Sequence, residues 1–185
     1  MSGLLYTLSH PPLTMARTTD SFFIRQTVTL TNDNQFQQAE VDLGSYVDAL
    51  GKSVLRIHNA QVTYSDNTGR SSTVAGAEVA VAQWQLTTQS QGDVVLSSNR
   101  AVVSDGRVHM FNEIAAPALA SIVTDANGVN LQEWTNGYLI AVEQMYLGGS
   151  ASTGFAGNVY VSIVLECTVE TLSQSGAMAL ALSQQ

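Results

Sequence analysis

The chain has 185 residues, of which 45% are hydrophobic and only 12% charged, and its fifteen acids against six arginines and one lysine give a formal net charge of −8. That much apolar material builds a sizeable core and excludes a disordered or low-complexity protein. The acidic balance opposes non-specific binding to nucleic acid or to an anionic membrane face. Serine, threonine, asparagine and glutamine together supply sixty residues, so the polar surface is mostly uncharged.

The first stretch, MSGLLYTLSH, has neither the charged start nor the sustained apolar run of a secretory signal, and the expectation is a protein that stays where it is made. Residues 21–31, SFFIRQTVTLT, set Phe22, Ile24, Val28 and Leu30 against Phe23, Arg25, Thr27 and Thr29, the period of two that marks a strand. After the turn formers TNDNQ, the piece FQQAEVDLGSYVDALG reads as a short strand around Val41 and Leu43 and then a helical turn. In SVLRIHNAQVTY, Leu55 and Ile57 have one parity and Ala60, Val62 and Tyr64 the other, which predicts a bulge near Asn59.

SDNTGRSS is a turn, and GAEVAVAQWQLTTQ a long strand whose phase changes between Val79 and Val81 on one side and Trp84 and Leu86 on the other, suggesting a bend. Short runs separated by turn residues follow, and Ser104-Asp105-Gly106-Arg107 predicts a tight hairpin within a meander spanning about 93–111. Asn112 is placed to cap a short helix over EIAAPALASIV, with Pro117 in its first turn. Asn127-Gly128 and Asn136-Gly137 are turns, YLIAVEQMYL is a strand covered on both faces, GGSASTGFAG a flexible loop, and residues 158–170 alternate most clearly of all. About eight strands at spacings near ten residues, with one or two short helices, make an all-β sandwich or barrel over residues 21–171. Residues 1–20 and 172–185 lie outside the strand series and read as an N-terminal and a C-terminal arm.

No constellation points to catalysis. The three histidines, His10, His58 and His109, stand apart without the pair spacings of a zinc site, and the single Cys167 alternates within a strand as a buried, inert thiol. No G-x-S-x-G elbow precedes a helix, and GGSASTG lacks the Lys-Ser/Thr ending of a phosphate loop. Glu166 and Glu170 are the nearest approach to paired glycosidase carboxylates, Asp33 and Asp66 sit in turns that could ligate calcium, and Trp84, Trp134, Tyr64, Tyr138 and Tyr160 could form a sugar-stacking platform. In each case a solvated strand edge, a plain turn or a core aromatic explains the residues better. The expectation is therefore no enzyme, no catalytic residue, no cofactor and no metal.

The strand series SFFIRQTVTL, VLRIHNAQVTY, AVAQWQLTT, YLIAVEQMYL and VYVSIVLECTVE, the lone Lys52 and the arms MSGLLYTLSHPPL and GAMALALSQQ resemble the smaller single jelly-roll major capsid protein of tailless, membrane-containing icosahedral viruses of haloarchaea. The resemblance implies a single jelly roll acting as a virion shell subunit. It implies as partners further copies of itself and a second, related capsid protein, joined in capsomers over an internal viral membrane, while the acidic balance leads to an expectation of no direct binding of nucleic acid. Leu4, Leu5, Tyr6 and Leu8 at one end, and Met178, Leu180 and Leu182 at the other, are apolar residues outside the expected sandwich. They either fold back on their own subunit or reach a neighbour or the lipid beneath. The alternative function is a carbohydrate-binding sandwich, such as a spike or lectin-like module.

Overall fold

In the computed structural model, which describes residues 19–48, 51–114, 117–119, 122–129 and 134–185, two antiparallel sheets face each other across one core. Among the described residues the strands are β1 (Phe22–Leu30), β2 (Gln37–Asp42), β3 (Ser53–Ser65), β4 (Val79–Thr87), β5 (Val102–Phe111), β6 (Ile122–Asn127), β7 (Tyr138–Ile140), β8 (Gln144–Ala151) and β9 (Val159–Thr171), and a helix, α1 (Gln174–Ser183), follows β9. The first sheet has the order β1-β9-β3-β7 and the second β2-β8-β4-β5-β6. With β6 set aside as an added edge strand, this is eight strands divided four and four, with the chain crossing between sheets after β1, β2, β3, β5, β7 and β8. That is the winding of a jelly roll, as expected from the sequence.

The core follows the period-two rows. Val28 and Leu30 of β1, Leu55 and Ile57 of β3 and the row Val159, Val161, Ile163, Leu165 and Cys167 of β9 are all buried from the first sheet. Val41, Ala82, Trp84, Leu86, Met145 and Leu147 oppose them from the second. The bulge expected near Asn59 is present: the β3–β9 register shifts between Ile57 and Asn59, which restores Ala60 to the core side. The turn after β2 also forms, with Tyr46 N and Val47 N both donating to Leu43 O.

Four expectations are corrected. Strand β4 does not bend between its two apolar sets; Ala80, Ala82, Trp84 and Leu86 are one inward row, and Val79 is half exposed on the outside. Two alanines, scarcely noticeable beside two valines, set the phase. The hairpin at Ser104–Arg107 does not exist, because β5 runs through it, with Gly106 opposite Trp84 on one side and Asn127 on the other. YLIAVEQMYL is two strands: β7 belongs to the first sheet and β8 to the second, so both parities are apolar because the chain changes sheets around 141–143. Finally, residues 148–151 of the supposed flexible loop lie in β8. Gly149 is needed there because a Cβ would run into the carbonyl oxygen of Gln83 on β4.

The rest of that loop is held down too. Ala75 N donates to Gly154 O, Ala156 N to Thr73 O, and Phe155 fills the core. The helix expected over EIAAPALASIV falls partly outside the described residues. Its last residues, Ile122 and Val123, open β6 instead, and Asn112 Oδ1 caps only a local turn by accepting from Ile114 N at 2.9 Å.

Candidate functional site

The C-terminal segment is the most specifically built of the expected contact surfaces. Ser173 caps α1, its hydroxyl accepting from Gly176 N at 3.2 Å, and the small residues Ala177 and Ala181 let the helix lie close to Val54 and Ala141. The far end is pinned by Gln184, which is buried. Its Oε1 accepts from Ala141 N at 2.9 Å and its Nε2 donates to Leu139 O at 2.7 Å, so one carboxamide pairs with the edge of β7 as a further strand would. Its backbone oxygen accepts from Thr88 Oγ1 at 2.8 Å. An edge strand that would otherwise invite pairing is thereby blunted. Of the three residues expected at an interface here, Leu180 packs against the same subunit, whereas Met178 and Leu182, one turn apart, are 42% and 65% exposed. At the other end, Leu4, Leu5, Tyr6 and Leu8 lie outside the described residues, but Thr19 Oγ1 accepts from Val169 N at 3.0 Å and so ties the chain to β9.

A partly buried ion pair fixes the nearby surface. Arg56 donates through Nε to Glu170 Oε1 at 2.5 Å and through Nη2 to Oε2 at 2.9 Å, and its Nη1 reaches the carbonyl of Asn136 in the turn before β7. Gly137 closes that turn at φ +62°, a conformation that favours glycine.

The outer faces of the two sheets differ. On the second sheet, the segment between β4 and β5 crosses the strands. Gln85 Nε2 donates to Val95 O and its Oε1 accepts from Val95 N at 2.9 Å, while buried Asp105 accepts from the Ser97 hydroxyl and from Val129 N. On the first sheet, at the bulge, a depression of about 320 Å³ lies among Phe23, Asn59, Gln61, Val164 and Glu166.

The remaining candidates dissolve on inspection. Glu166 and Glu170 stand four residues apart on an extended strand, about 13 Å, beyond glycosidase spacing, and Glu170 is held by Arg56. Asp33 Oδ1 accepts from Thr31 Oγ1 and Gln35 N, and Asp66 Oδ1 from Thr68 Oγ1, Thr68 N and Arg70 N. Those bonds, the threonine hydroxyl first, lower both carboxyls below 3.8 and define plain turns. Among the described residues no three metal-ligating side chains converge. His58 shares a hydrogen bond with Thr168, His109 stands on β5 opposite Val81, and His10 lies outside the described residues. Burial pushes the Cys167 thiol up to about 12. The five aromatics form no common platform: Trp84 is in the core, Tyr64 packs against it, and Trp134 meets Tyr138 edge to face at 6.3 Å elsewhere. No helix among the described residues is long and apolar enough to cross a membrane.

No protein-family model and no curated protein sequence matches the chain. Among solved structures it is similar to a mutant form of the unassembled VP1 pentamer of Washington University polyomavirus, with a TM-score of 0.47 and 7% identity over 86% of this chain and 97% of that one. It is also similar to Desmodium yellow mottle tymovirus, with a TM-score of 0.36 and 11% identity over 91% and 96% of the two chains. The jelly-roll assignment itself rests on the strand order.

Gln184, Gln85 and Asp105 were invisible as anchoring residues in the sequence. Asp105 was hidden by its own dipeptide, because Asp-Gly is a turn signal. A signal against the turn was present: Val102, Ser104, Gly106, Val108 and Met110 keep one unbroken parity of small or apolar residues across it. Nothing comparable marks Gln184, whose carboxamide pairs with backbone atoms of Leu139 in β7 and of Ala141 just after it.

Proposed function

We propose that the chain is a structural virion protein, a major capsid subunit that assembles into capsomers of an icosahedral virus. The observation that supports this most directly is the preformed apolar contact on α1. Met178 and Leu182 project from a helix whose seat is fixed by Ala177, Ala181 and Gln184, so a neighbour meets a surface that is already ordered and loses little freedom on binding. Uncharged Ser, Thr, Asn and Gln over much of the remaining surface suit repeated side-by-side contacts, because they pair hydrogen bonds without the cost of burying ions. The finer reading follows the resemblance: a second, related capsid protein in the capsomer, a lattice over an internal membrane, residence in the virion of a haloarchaeal virus, and Leu4, Leu5, Tyr6 and Leu8 as a second contact.

Sedimentation velocity and negative-stain microscopy across a range of salt and protein concentrations test the assembly. The expected result is a species several-fold larger than a 19.7 kDa chain, reduced to monomer in a Met178→Ser/Leu182→Ser double variant with unchanged circular dichroism. A wild-type protein that stays monomeric at high concentration in every salt overturns the reading. Deleting Met1 to Thr14 examines the N-terminal contact separately.

A further inference from the structure

We infer that the outer face of the first sheet, at the β3 bulge, is a binding site for a single uncharged sugar ring. The site is a patch of two rows and three strands. Phe23, Glu166 and Asn59 are in register across β1, β9 and β3, and Arg25, Val164 and Gln61 form the next row. The bulge builds it: with the register shifted at His58, Asn59 joins the outer surface while Ile57 and Ala60 both keep to the core. Without that extra residue, the amide would point inward.

Three properties of the patch define the ligand. The depression holds about 320 Å³, at the small end of ligand sites, which fits one ring rather than a chain of them. Its polar groups are free: Gln61 and Glu166 make no hydrogen bond or ion pair among the described residues, and Asn59 Oδ1, shielded from bulk solvent, has no partner among them either. Carboxamides both donate and accept, as hydroxyl groups do, so two amides and a carboxylate around one hollow match a ring bearing several hydroxyls. The third property is the apolar wall. Phe23 is 55% exposed, with the Arg25 guanidinium 5.5 Å from its ring centre, and Val164 lies beside it, offering surface to the C–H face of a sugar. Arg25 and Glu166 offset each other in charge, so the patch has no net attraction for an ion. This inference stands apart from the assembly reading, since it uses neither α1 nor the arms.

The test is saturation-transfer NMR on the full chain with the methyl glycosides of glucose, galactose, mannose and N-acetylglucosamine, followed by titration of any that respond. At least one is expected to bind, with Phe23→Ser and Gln61→Ala each weakening it tenfold or more and Glu166→Gln by less than threefold, because an uncharged ligand needs hydrogen bonds there rather than the charge. Circular dichroism of each variant establishes that it is folded, and Arg107→Ala, on the other sheet, serves as a control that leaves binding unchanged. Absence of transfer to every glycoside overturns the inference, as does loss of binding on Glu166→Gln or binding that survives Phe23→Ser and Gln61→Ala. A change in sedimentation of the Phe23→Ser protein without any glycoside binding also overturns it, and assigns the face to a second copy of the chain.

Discussion

Two patches on the outer faces of the two sheets, around Gln85 and Asp105 on the second and around Asn59, Gln61 and Glu166 on the first, carry similar polar side chains and use them in opposite ways. On the second sheet, Gln85 and Asp105 are consumed internally, binding Val95, Ser97 and Val129 and so fastening a roof of loop over the strands. On the first, Asn59, Gln61 and Glu166 bind nothing among the described residues. Residue type therefore does not distinguish a structural amide from an available one. What decides is whether another segment of the chain crosses above it.

The largest effect expected of this difference is at Asp105. Replacing it by alanine removes two hydrogen bonds to a buried carboxylate and leaves the Val129 amide without its partner, which should cost about 3 kcal/mol and lower Tm by roughly 6–12 °C. Gln85→Ala should cost less, about 1–2 kcal/mol, since Val95 is left near the surface where water replaces the carboxamide. Gln61→Ala, on the open face, should shift stability by no more than about 0.5 kcal/mol. Urea titrations of the three proteins rank them, and equal midpoints would abolish the distinction between the faces.

Smaller still is the expected response of the turn at Asp66. Its carboxyl is lowered below 3.8, first by the Thr68 hydroxyl, so the folded state favours the ionised form. The stabilisation is present above the unfolded value and is lost as pH falls through the folded one. An NMR titration should place the midpoint below 3.8, and Thr68→Val should move it back upward. A midpoint at or above 3.8 in the unaltered protein would remove the hydrogen bond from the account.

Much of the fold was legible because one face of each sheet is buried. The row Val159 to Cys167 could be read directly, and the parity change across Asn59 disclosed a bulge. What escaped were the places where a local signal competed with a longer one. Asp105-Gly106 is a turn by its dipeptide and a strand by its ten-residue context, and the context prevails because β5 is paired on both sides. YLIAVEQMYL looked like one doubly covered strand because period two says nothing about which sheet a residue joins. The candidate contact was half legible: the apolar character of Met178, Leu180 and Leu182 is in the sequence, but which of them turns outward depends on the seat that Ala177 and Ala181 make. Gln184 and the open patch at Asn59 follow from packing between segments far apart in the chain, which no window along it contains.

Strand β9 is inserted between β1 and β3, and the Thr27 and Ser162 hydroxyls that meet across one of those seams, 2.8 Å apart, are separated by 135 positions. The first sheet therefore has no centre until the chain has been synthesised almost to residue 171. During translation, β1 and β3 wait with unpaired edges and with their apolar rows uncovered, the condition in which nascent chains associate wrongly. Pairings this remote also place folding in the range of milliseconds to seconds rather than microseconds. Closure of the sandwich is thus a single late event, and the rate at which the chain completes its fold is set by arrival of the strand that the two earliest partners of the first sheet share.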